Sequence, residues 1–272
     1  MKFALNLYTL CSIGIIFFLL NGCNREDSPS APNAKPTTMC RLIGWDVYDG
    51  SRHTIYTVTY GEKNRVSSIL TTAEGSTVPP TKYRYLYQAD GTLKQIMVVY
   101  PRTAIDTLIT QIDAESRNGK LTRLIVNNIG ISIDRFNVIY KDTLIYRYEP
   151  ETAGSSGAVT FTYDAKGNVS EIKVEGPTEN SSITTNSFAY LPYKNPLRLL
   201  QLPFWQTPNN LITNNYVSSG SVSTYTPRGT IRVSAAIPLV SSKQSTSGYV
   251  VEAITNVNGR DVKTVYNLSD CD

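Results

Sequence analysis

The chain contains a single histidine, His53, so any Ser-His-Asp or Cys-His catalytic arrangement would have to include it. No Gly-x-Ser-x-Gly nucleophile elbow occurs in the sequence. His53 stands at the start of a polar strand beside Ser51 and Arg52, which favours a solvated side chain over a catalytic one. We therefore predict no catalytic residues and expect that the protein is not an enzyme.

Metal and cofactor chemistry is not indicated either. Zinc sites need histidine and cysteine ligands at short spacing, and calcium loops need alternating acids around a glycine; the sequence has neither pattern. No glycine-rich phosphate loop lies between a strand and a helix. The sequence predicts no metal and no cofactor. Two acids that converge from distant strands would still allow a carboxylate-dependent glycan hydrolase, which stays an alternative.

The N-terminal segment carries Lys2 and then an apolar run that ends at Leu20, about half of the roughly 20 residues that a membrane-spanning helix needs. This layout is typical of a signal peptide, here residues 1–22. The sequence Leu20-Asn21-Gly22-Cys23 that ends it resembles the lipobox of bacterial lipoproteins. The resemblance implies that Cys23 receives a thioether-linked diacylglycerol and becomes the first residue of the mature chain. Through this lipid the protein would be anchored to a membrane, which is its expected partner.

Residues 24–27, Asn-Arg-Glu-Asp, resemble the short tag that sends lipoproteins of some Gram-negative bacteria to the outer face of the outer membrane. The predicted location is therefore the outer membrane, with the domain facing the cell exterior and the periplasmic face as the alternative. The Pro-rich stretch that follows is too polar to bury surface, so residues 23–39 are predicted to be the lipidated cysteine and a flexible tether. Residues 40–272 are long enough for one large β domain or two small ones, and we predict a single β-rich domain.

Two cysteines remain for the mature domain, Cys40 and Cys271, near its first and last positions. An oxidising compartment outside the cytoplasm favours a disulfide between them. The alternative is a pair of buried free thiols that lie far apart. The formal net charge of +4 is slight, and no basic cluster interleaves with aromatic residues, so no nucleic-acid partner is expected.

One hairpin pattern recurs in the domain. Aromatic residues alternate with polar ones, a turn residue lies four positions after the last aromatic, and apolar residues follow at six and nine. The three clear copies are Tyr56–Tyr60 with Val66 and Ile69, Tyr83–Tyr87 with Leu93 and Ile96, and Val159–Tyr163 with Val169 and Ile172. Alternation places the aromatics on one face of each strand. We predict an all-β fold: an antiparallel meander of repeated hairpins that forms a strongly curved sheet or a closed barrel.

The segment from Tyr163 to Val169 is similar to the YD repeat of Rhs-type surface and toxin-shell proteins. More broadly, the lipobox, Cys40, the hairpins and the segment from Tyr190 to Pro196 resemble an uncharacterised family of bacterial surface lipoproteins. That resemblance implies a porin-like β fold and no assigned activity. We nevertheless predict that the barrel does not span a membrane, because polar residues such as Thr57 and Arg84 alternate with the tyrosines.

A short helix is predicted near residues 195–202, because Asn195 can cap it, Pro196 suits its first position and four leucines follow. Phe204 and Trp205 come next in an irregular segment and are the candidate ligand-binding residues. Packing of these two rings onto the core is the competing interpretation.

The function these features favour is a lipid-anchored surface binding or accessory module that holds a glycan or an outer-membrane protein. Two alternatives stay open: a structural envelope-interaction protein without a small ligand, and the carboxylate-dependent hydrolase. The ligand and the oligomeric state are not predicted.

Overall fold

The computed structural model describes residues 40–77, 79–101, 106–152, 157–178, 181–202, 213–225, 231–257, 259–269 and 271. Residues Met39–Asp272 form one compact unit. The signal and tether segments predicted for residues 1–39 lie outside the described residues.

Sixteen antiparallel strands form a closed barrel in this part of the chain, and each strand pairs with its neighbours in sequence. The strands are β1 (Arg41–Asp49), β2 (Arg52–Tyr60), β3 (Val66–Ala73), β4 (Thr81–Tyr87), β5 (Leu93–Tyr100), β6 (Thr107–Arg117), β7 (Lys120–Asn128), β8 (Ser132–Lys141), β9 (Leu144–Pro150), β10 (Val159–Tyr163), β11 (Val169–Glu175), β12 (Ile183–Lys194), β13 (Asn215–Tyr225), β14 (Ile231–Gln244), β15 (Val250–Val257) and β16 (Arg260–Ser269). The predicted all-β meander is confirmed, and the curved sheet closes.

The turns of the repeated hairpins follow from their sequence. In the β10–β11 turn, Oδ1 of Asp164 accepts hydrogen bonds from the backbone N–H groups of Lys166 (2.9 Å) and Asn168 (2.8 Å). Gly167 has a φ of +76°, a backbone conformation that residues other than glycine rarely adopt. Asp90 and Gly91 repeat the arrangement between β4 and β5, where Oδ1 of Asp90 accepts from the backbone N–H of Thr92 (2.8 Å). The predicted hairpins are confirmed.

The two faces of the sheet differ as the alternation predicts. In β8, the side chains of Phe136, Val138 and Tyr140 are half-buried, whereas those between them are exposed. The repeated tyrosines lie inside the barrel; Tyr85 is 3 % exposed, and Tyr56, Tyr60, Tyr83 and Tyr87 pack against the same buried cluster. Burial of this inward face supplies the main apolar stabilisation of the domain.

The barrel closes where β1 pairs with β16, beside the bond between Cys40 and Cys271, whose Cα atoms lie 4.4 Å apart. The predicted disulfide is confirmed. We call the barrel end that contains this disulfide the near end, and the opposite end the far end. Since strands alternate in direction, the β2–β3, β4–β5 and β10–β11 turns also lie at the near end.

A short helix covers part of the near end. Residues Pro196–Leu200 form a 3-10 helix, and Oδ1 of Asn195 accepts a hydrogen bond from the backbone N–H of Leu197 (3.1 Å). Leu197 and Leu200 are buried in the core that also contains Trp45. The predicted short helix is confirmed, with 3-10 rather than α geometry.

Asn168 holds the start of β13, the next strand after this helix, against the β10–β11 turn. Its side chain is fully buried, and its Nδ2 donates to Oδ2 of Asp164 (3.0 Å) and to Oδ1 of Asn215 (3.2 Å). Its Oδ1 accepts from the backbone N–H of Asn215 (2.9 Å). Because all its polar atoms are paired, Asn168 links the β10–β11 turn to the start of β13 at low desolvation cost.

Candidate functional site

The interior of the barrel changes character along its axis. The near half and the middle are apolar and aromatic, with Trp45 stacked on Tyr56 at 4.4 Å between ring centroids and Tyr148 edge-on to Phe161 at 5.1 Å. These contacts belong to two buried clusters that share two partly buried neighbours, Leu93 and Ile112. The middle of the barrel is thus a packed core.

Toward the far end the inward positions become hydroxyl and amide side chains. Each lies on the inward face by strand alternation or by pairing with an inward residue of the next strand. We call this set the polar ring: Thr54, Thr71, Thr81, Thr110, Asn128, Ser132, Asp134, Thr184, Asn186, Thr224, Thr255 and Thr264. All of its members are half-buried.

Hydrogen bonds connect the polar ring from strand to strand. Thr110 Oγ1 donates to Asn128 Oδ1 (3.1 Å), Asn128 Nδ2 donates to Ser132 Oγ (3.3 Å), and Ser132 Oγ donates to Asp134 Oδ2 (3.1 Å). On another part of the wall, the hydroxyls of Thr184 and Thr224 lie 3.3 Å apart across β12 and β13. These bonds hold the side chains in defined positions, as a binding surface requires.

Two observations show that this part of the interior differs from a closed core. Val174, which faces inward through its pairing with Val159 and Thr184, is 38 % exposed. Oγ1 of Thr71 is buried and has no hydrogen-bond partner among the described residues. Buried hydroxyls are normally paired with protein or ordered water, so Thr71 has hydrogen-bonding capacity left for water or a ligand.

Two cavities at the near end are lined by described residues of the wall and of the chain that flanks the 3-10 helix. Their volumes are about 290 and 300 Å³, and both are lined by Tyr140 and Ile145. Leu202 lines the first, and Thr213 lines the second. Leu93 and Ala114 of the apolar core also line the first cavity, whereas Thr143 and Asn214 add hydroxyl and amide groups to the second.

The outward face contains ion pairs that cross from strand to strand. Nη2 of Arg147 lies 2.9 Å from Glu175 Oε2, Lys173 Nζ lies 2.8 Å from the other oxygen of Glu175, and Arg147 also pairs with Glu149. The hydrogen bond from Lys173, together with the charge of Arg147, lowers the pKa of Glu175. These side chains are charged and in contact with solvent.

His53 lies on the outward face and is paired rather than merely solvated. Its Nε2 lies 2.9 Å from Asp46 Oδ1, its Nδ1 lies 2.9 Å from Glu74 Oε2, and its ring stacks on Tyr48 at 4.3 Å. Hydrogen bonds to Glu74 and then Asp46 raise the pKa of His53. Asp46 Oδ2 also accepts from Nδ2 of Asn267 (2.9 Å), so the cluster spans the barrel closure. The sequence-based interpretation of a solvated histidine missed this arrangement, because Asp46 lies on β1 and Glu74 directly follows β3.

The remaining sequence-predicted sites have different outcomes. Cys40 and Cys271 are brought together as predicted. Cys23, Phe204 and Trp205 lie outside the described residues. Among the described residues, no group of three His, Cys, Asp or Glu side chains is placed to hold a metal ion. None of the described helices is long and apolar enough to cross a membrane.

The polar ring was not predicted from the sequence. Thr57, which was singled out there, points outward as expected and is exposed. The inward threonines were overlooked, although the signal was present. Thr54, Thr81 and Thr110 each lie two residues from an inward tyrosine or isoleucine on the same strand, and period-two alternation assigns both to one face.

The fold is similar to that of two solved structures described as porin-like proteins. One, from Bacteroides uniformis, has 10 % sequence identity and a TM-score of 0.48, over 88 % of this chain and 100 % of that one. The other, from Bacteroides vulgatus, has 7 % identity and a TM-score of 0.41, over 84 % of this chain and 98 % of that one. No protein-family model and no curated protein matches the sequence.

Proposed function

We propose that this chain is a lipid-anchored protein of the cell envelope whose barrel stands in water and acts as a binding module. The observation that carries the proposal is the distribution of polarity between the two faces of the barrel. Its middle is apolar inside, and paired charges lie outside. The ligand site is the polar ring, and the anchor is the lipid expected on Cys23.

The outward charges argue against a barrel embedded in lipid. A membrane-spanning barrel has an outward apolar band about 25 Å tall, and a charge at its midplane costs roughly 2–4 kcal/mol. Here, Arg147 on β9 pairs with Glu175 on β11 across the outward side of β10, beside Lys173. Lys243 and Lys263 both pair with Glu252 at 2.8 Å. Membrane attachment therefore has to come from outside the barrel, which is the role of the lipid on Cys23.

The covalent framework supports export. Disulfides persist in compartments outside the cytoplasm, and the bond between Cys40 and Cys271 joins the first and last strands of this domain. The signal-like segment and the lipobox-like sequence before Cys23 agree with the same route.

Lipid labelling and detergent partitioning test the anchor. Cells expressing the protein are fed an alkyne palmitate, and membranes are then partitioned in Triton X-114. We expect the wild-type protein to be labelled and to enter the detergent phase, and the Cys23→Ser protein to be unlabelled and to stay in the aqueous phase. A Cys23→Ser protein from which residues 1–22 have been cleaved, and which still needs detergent for extraction, would show that the barrel itself lies in the bilayer and would refute the proposal.

Protease shaving of intact cells tests the orientation. Loss of the domain from whole cells, with a periplasmic marker protected, is the result expected for the exterior face. Cleavage only after the outer membrane is permeabilised would assign the periplasmic face and contradict exterior display.

A structural role through protein contact is a second candidate, favoured by the β7–β8 hairpin tip at the far end. Ile129, Ile131 and Ile133 there are 44 %, 87 % and 52 % exposed. A photo-crosslinking residue at position 131 in living cells should capture one consistent envelope protein if this tip docks. Scattered products, like those from a crosslinker at exposed Asn137, would exclude that role.

A further inference from the structure

We infer that the polar ring binds an uncharged, hydroxyl-rich ligand, namely a neutral oligosaccharide, that enters through the far end of the barrel. The inference rests on the proposed function, since it names the ligand class of the same site. It is carried by the chemistry of the ring, by its accessibility and by the aromatic floor beneath it.

The side chains of the polar ring can pair with ligand hydroxyl groups that donate a hydrogen bond and with those that accept one. Eight of the twelve members are threonines, and a threonine hydroxyl both donates and accepts. Asn128 and Asn186 add amide groups that can donate from nitrogen and accept at oxygen. A ligand with many hydroxyls can pair with such a surface in several registers, whereas an anion would need a surplus of donors or positive charge.

The charge of the ring points the same way. Asp134 is its one ionisable member, and Ser132 donates to it. Beyond the ring, the carboxylate of Asp49 and the guanidinium of Arg260 lie 3.9 Å apart. Arg232 is the strand partner of Thr224 on β14 and therefore occupies an inward position at the level of the ring. With one carboxylate and one arginine position at this level, the formal charges balance, and no surplus charge selects an acidic ligand.

The inward wall beside β11 and β12 is accessible. Val174 is 38 % exposed on the inward face there, directly across from Thr184. On the opposite part of the wall, the unpaired hydroxyl of Thr71 is buried. The ring therefore combines an accessible wall with at least one hydroxyl that lacks a partner within the described structure.

Aromatic rings form the floor. Phe188 follows Asn186 by two positions on β12, and Phe136 follows Asp134 by two positions on β8, so both are inward and one step closer to the middle. A Cβ added to Gly220, the strand partner of Phe188, would lie 3.6 Å from the Phe188 ring, so the glycine leaves one side of that ring uncovered. The apolar faces of sugar rings stack on such aromatics, as they do in many carbohydrate-binding modules.

The experiment uses the soluble Cys23→Ser protein and a fixed probe set. The neutral probes are maltohexaose, cellohexaose, xylohexaose and mannohexaose, and the charged probe is hexagalacturonate; binding is measured by isothermal titration calorimetry. We expect at least one neutral hexaose to bind and hexagalacturonate to bind at least tenfold more weakly. Failure of all four neutral probes to bind, or preference for the acidic one, would overturn the inference.

Two tryptophan variants on the same strand locate the site. Thr184→Trp fills the inward wall beside Val174, and we expect at least a tenfold loss of affinity for the neutral hexaose. Ala189→Trp, at an exposed position on β12, should leave the affinity unchanged. Unchanged affinity in Thr184→Trp would place binding elsewhere and refute the inference, as would an equal loss of affinity in both variants.

A third variant guards against misfolding. Asn186→Asp replaces an amide that can donate with a carboxylate that only accepts, so we expect a similar loss of affinity with an unchanged circular dichroism spectrum. Unchanged binding in this folded variant would also count against the ring. Since Triton X-114 partitioning of the wild-type protein is independent of sugar binding, failure of this inference leaves the anchored, water-standing barrel intact.

Discussion

The phenolic oxygen of Tyr163 donates a hydrogen bond to the backbone carbonyl of Ile145 on the preceding strand, over 2.6 Å. Tyr60 makes the same contact with Leu42, and Tyr87 with Val66, each over 2.9 Å. In every case the register shifts immediately before the tyrosine. The last tyrosine of each sequence repeat thus has a structural role. Its hydroxyl donates to a backbone carbonyl of the preceding strand, close to the near end of the barrel.

Replacing Tyr163 by Phe should destabilise the domain by about 1–3 kcal/mol, because the partly buried carbonyl of Ile145 loses its donor. Burial raises the pKa of Tyr163 to about 12, so the hydroxyl keeps its proton at neutral pH and can donate. Urea unfolding followed by circular dichroism measures the change. Tyr146→Phe, at a position 42 % exposed, is the control and should change stability by less than about 0.5 kcal/mol. Equal effects in both variants would contradict the role assigned to the hydrogen bond.

Removing the disulfide should reduce the free energy of unfolding by about 2–5 kcal/mol, since it constrains an unfolded loop between residues 231 positions apart. The comparison is between the Cys23→Ser protein and the same protein with Cys40→Ser and Cys271→Ser added. Thermal unfolding with and without dithiothreitol reports the effect. Dithiothreitol should lower the midpoint only where the bond exists, and a reductant-insensitive midpoint in both proteins would show that the bond adds no stability.

The His53 cluster makes stability depend on pH. Hydrogen bonds to Glu74 and Asp46 raise the pKa of His53 above its ordinary value of 6.5. The stabilisation is therefore fully present below pH 6.5 and is lost as the pH rises through the folded-state pKa. Thermal unfolding of wild type and His53→Gln at several pH values should show a gap that is largest near about pH 6 and shrinks by about pH 9.

Glu74→Gln supplies the matched control for that prediction. It leaves the imidazole in place and removes one of its two carboxylate partners, so the pH-dependent gap should shrink but persist through Asp46. A gap independent of pH in His53→Gln would mean that the protonated imidazole contributes nothing.

Asn168→Ala should destabilise the domain by about 3 kcal/mol. The substitution removes three hydrogen bonds to Asp164 and Asn215 at a fully buried site. Urea unfolding measures it, with Asn137→Ala on the exposed face of β8 as the control. A change below about 1 kcal/mol would show that the link between the β10–β11 turn and β13 is dispensable.

Much of the fold was predictable because its signals are local. Gly91 and Gly167 mark turns through their positive φ, and Tyr83, Tyr85 and Tyr87 mark one face of a strand through period-two spacing. The cap at Asn195 was readable for the same reason, since it acts on the backbone N–H of Leu197 two residues later. The pairing of Cys40 with Cys271 was one of two open alternatives, because the distance between chain ends is not a local property.

The sequence by itself determined which residues turn, which alternate and which side of each strand is apolar, because each of these depends on neighbours a few positions away. Only the tertiary structure decided that sixteen strands close into a barrel, that threonines from separate strands meet in one ring, and that His53 lies between Asp46 and Glu74. Those relationships depend on the register between strands and on closure over the whole domain. Local spacing cannot specify either, because one residue of slip in a single pairing moves every later side chain to the opposite face.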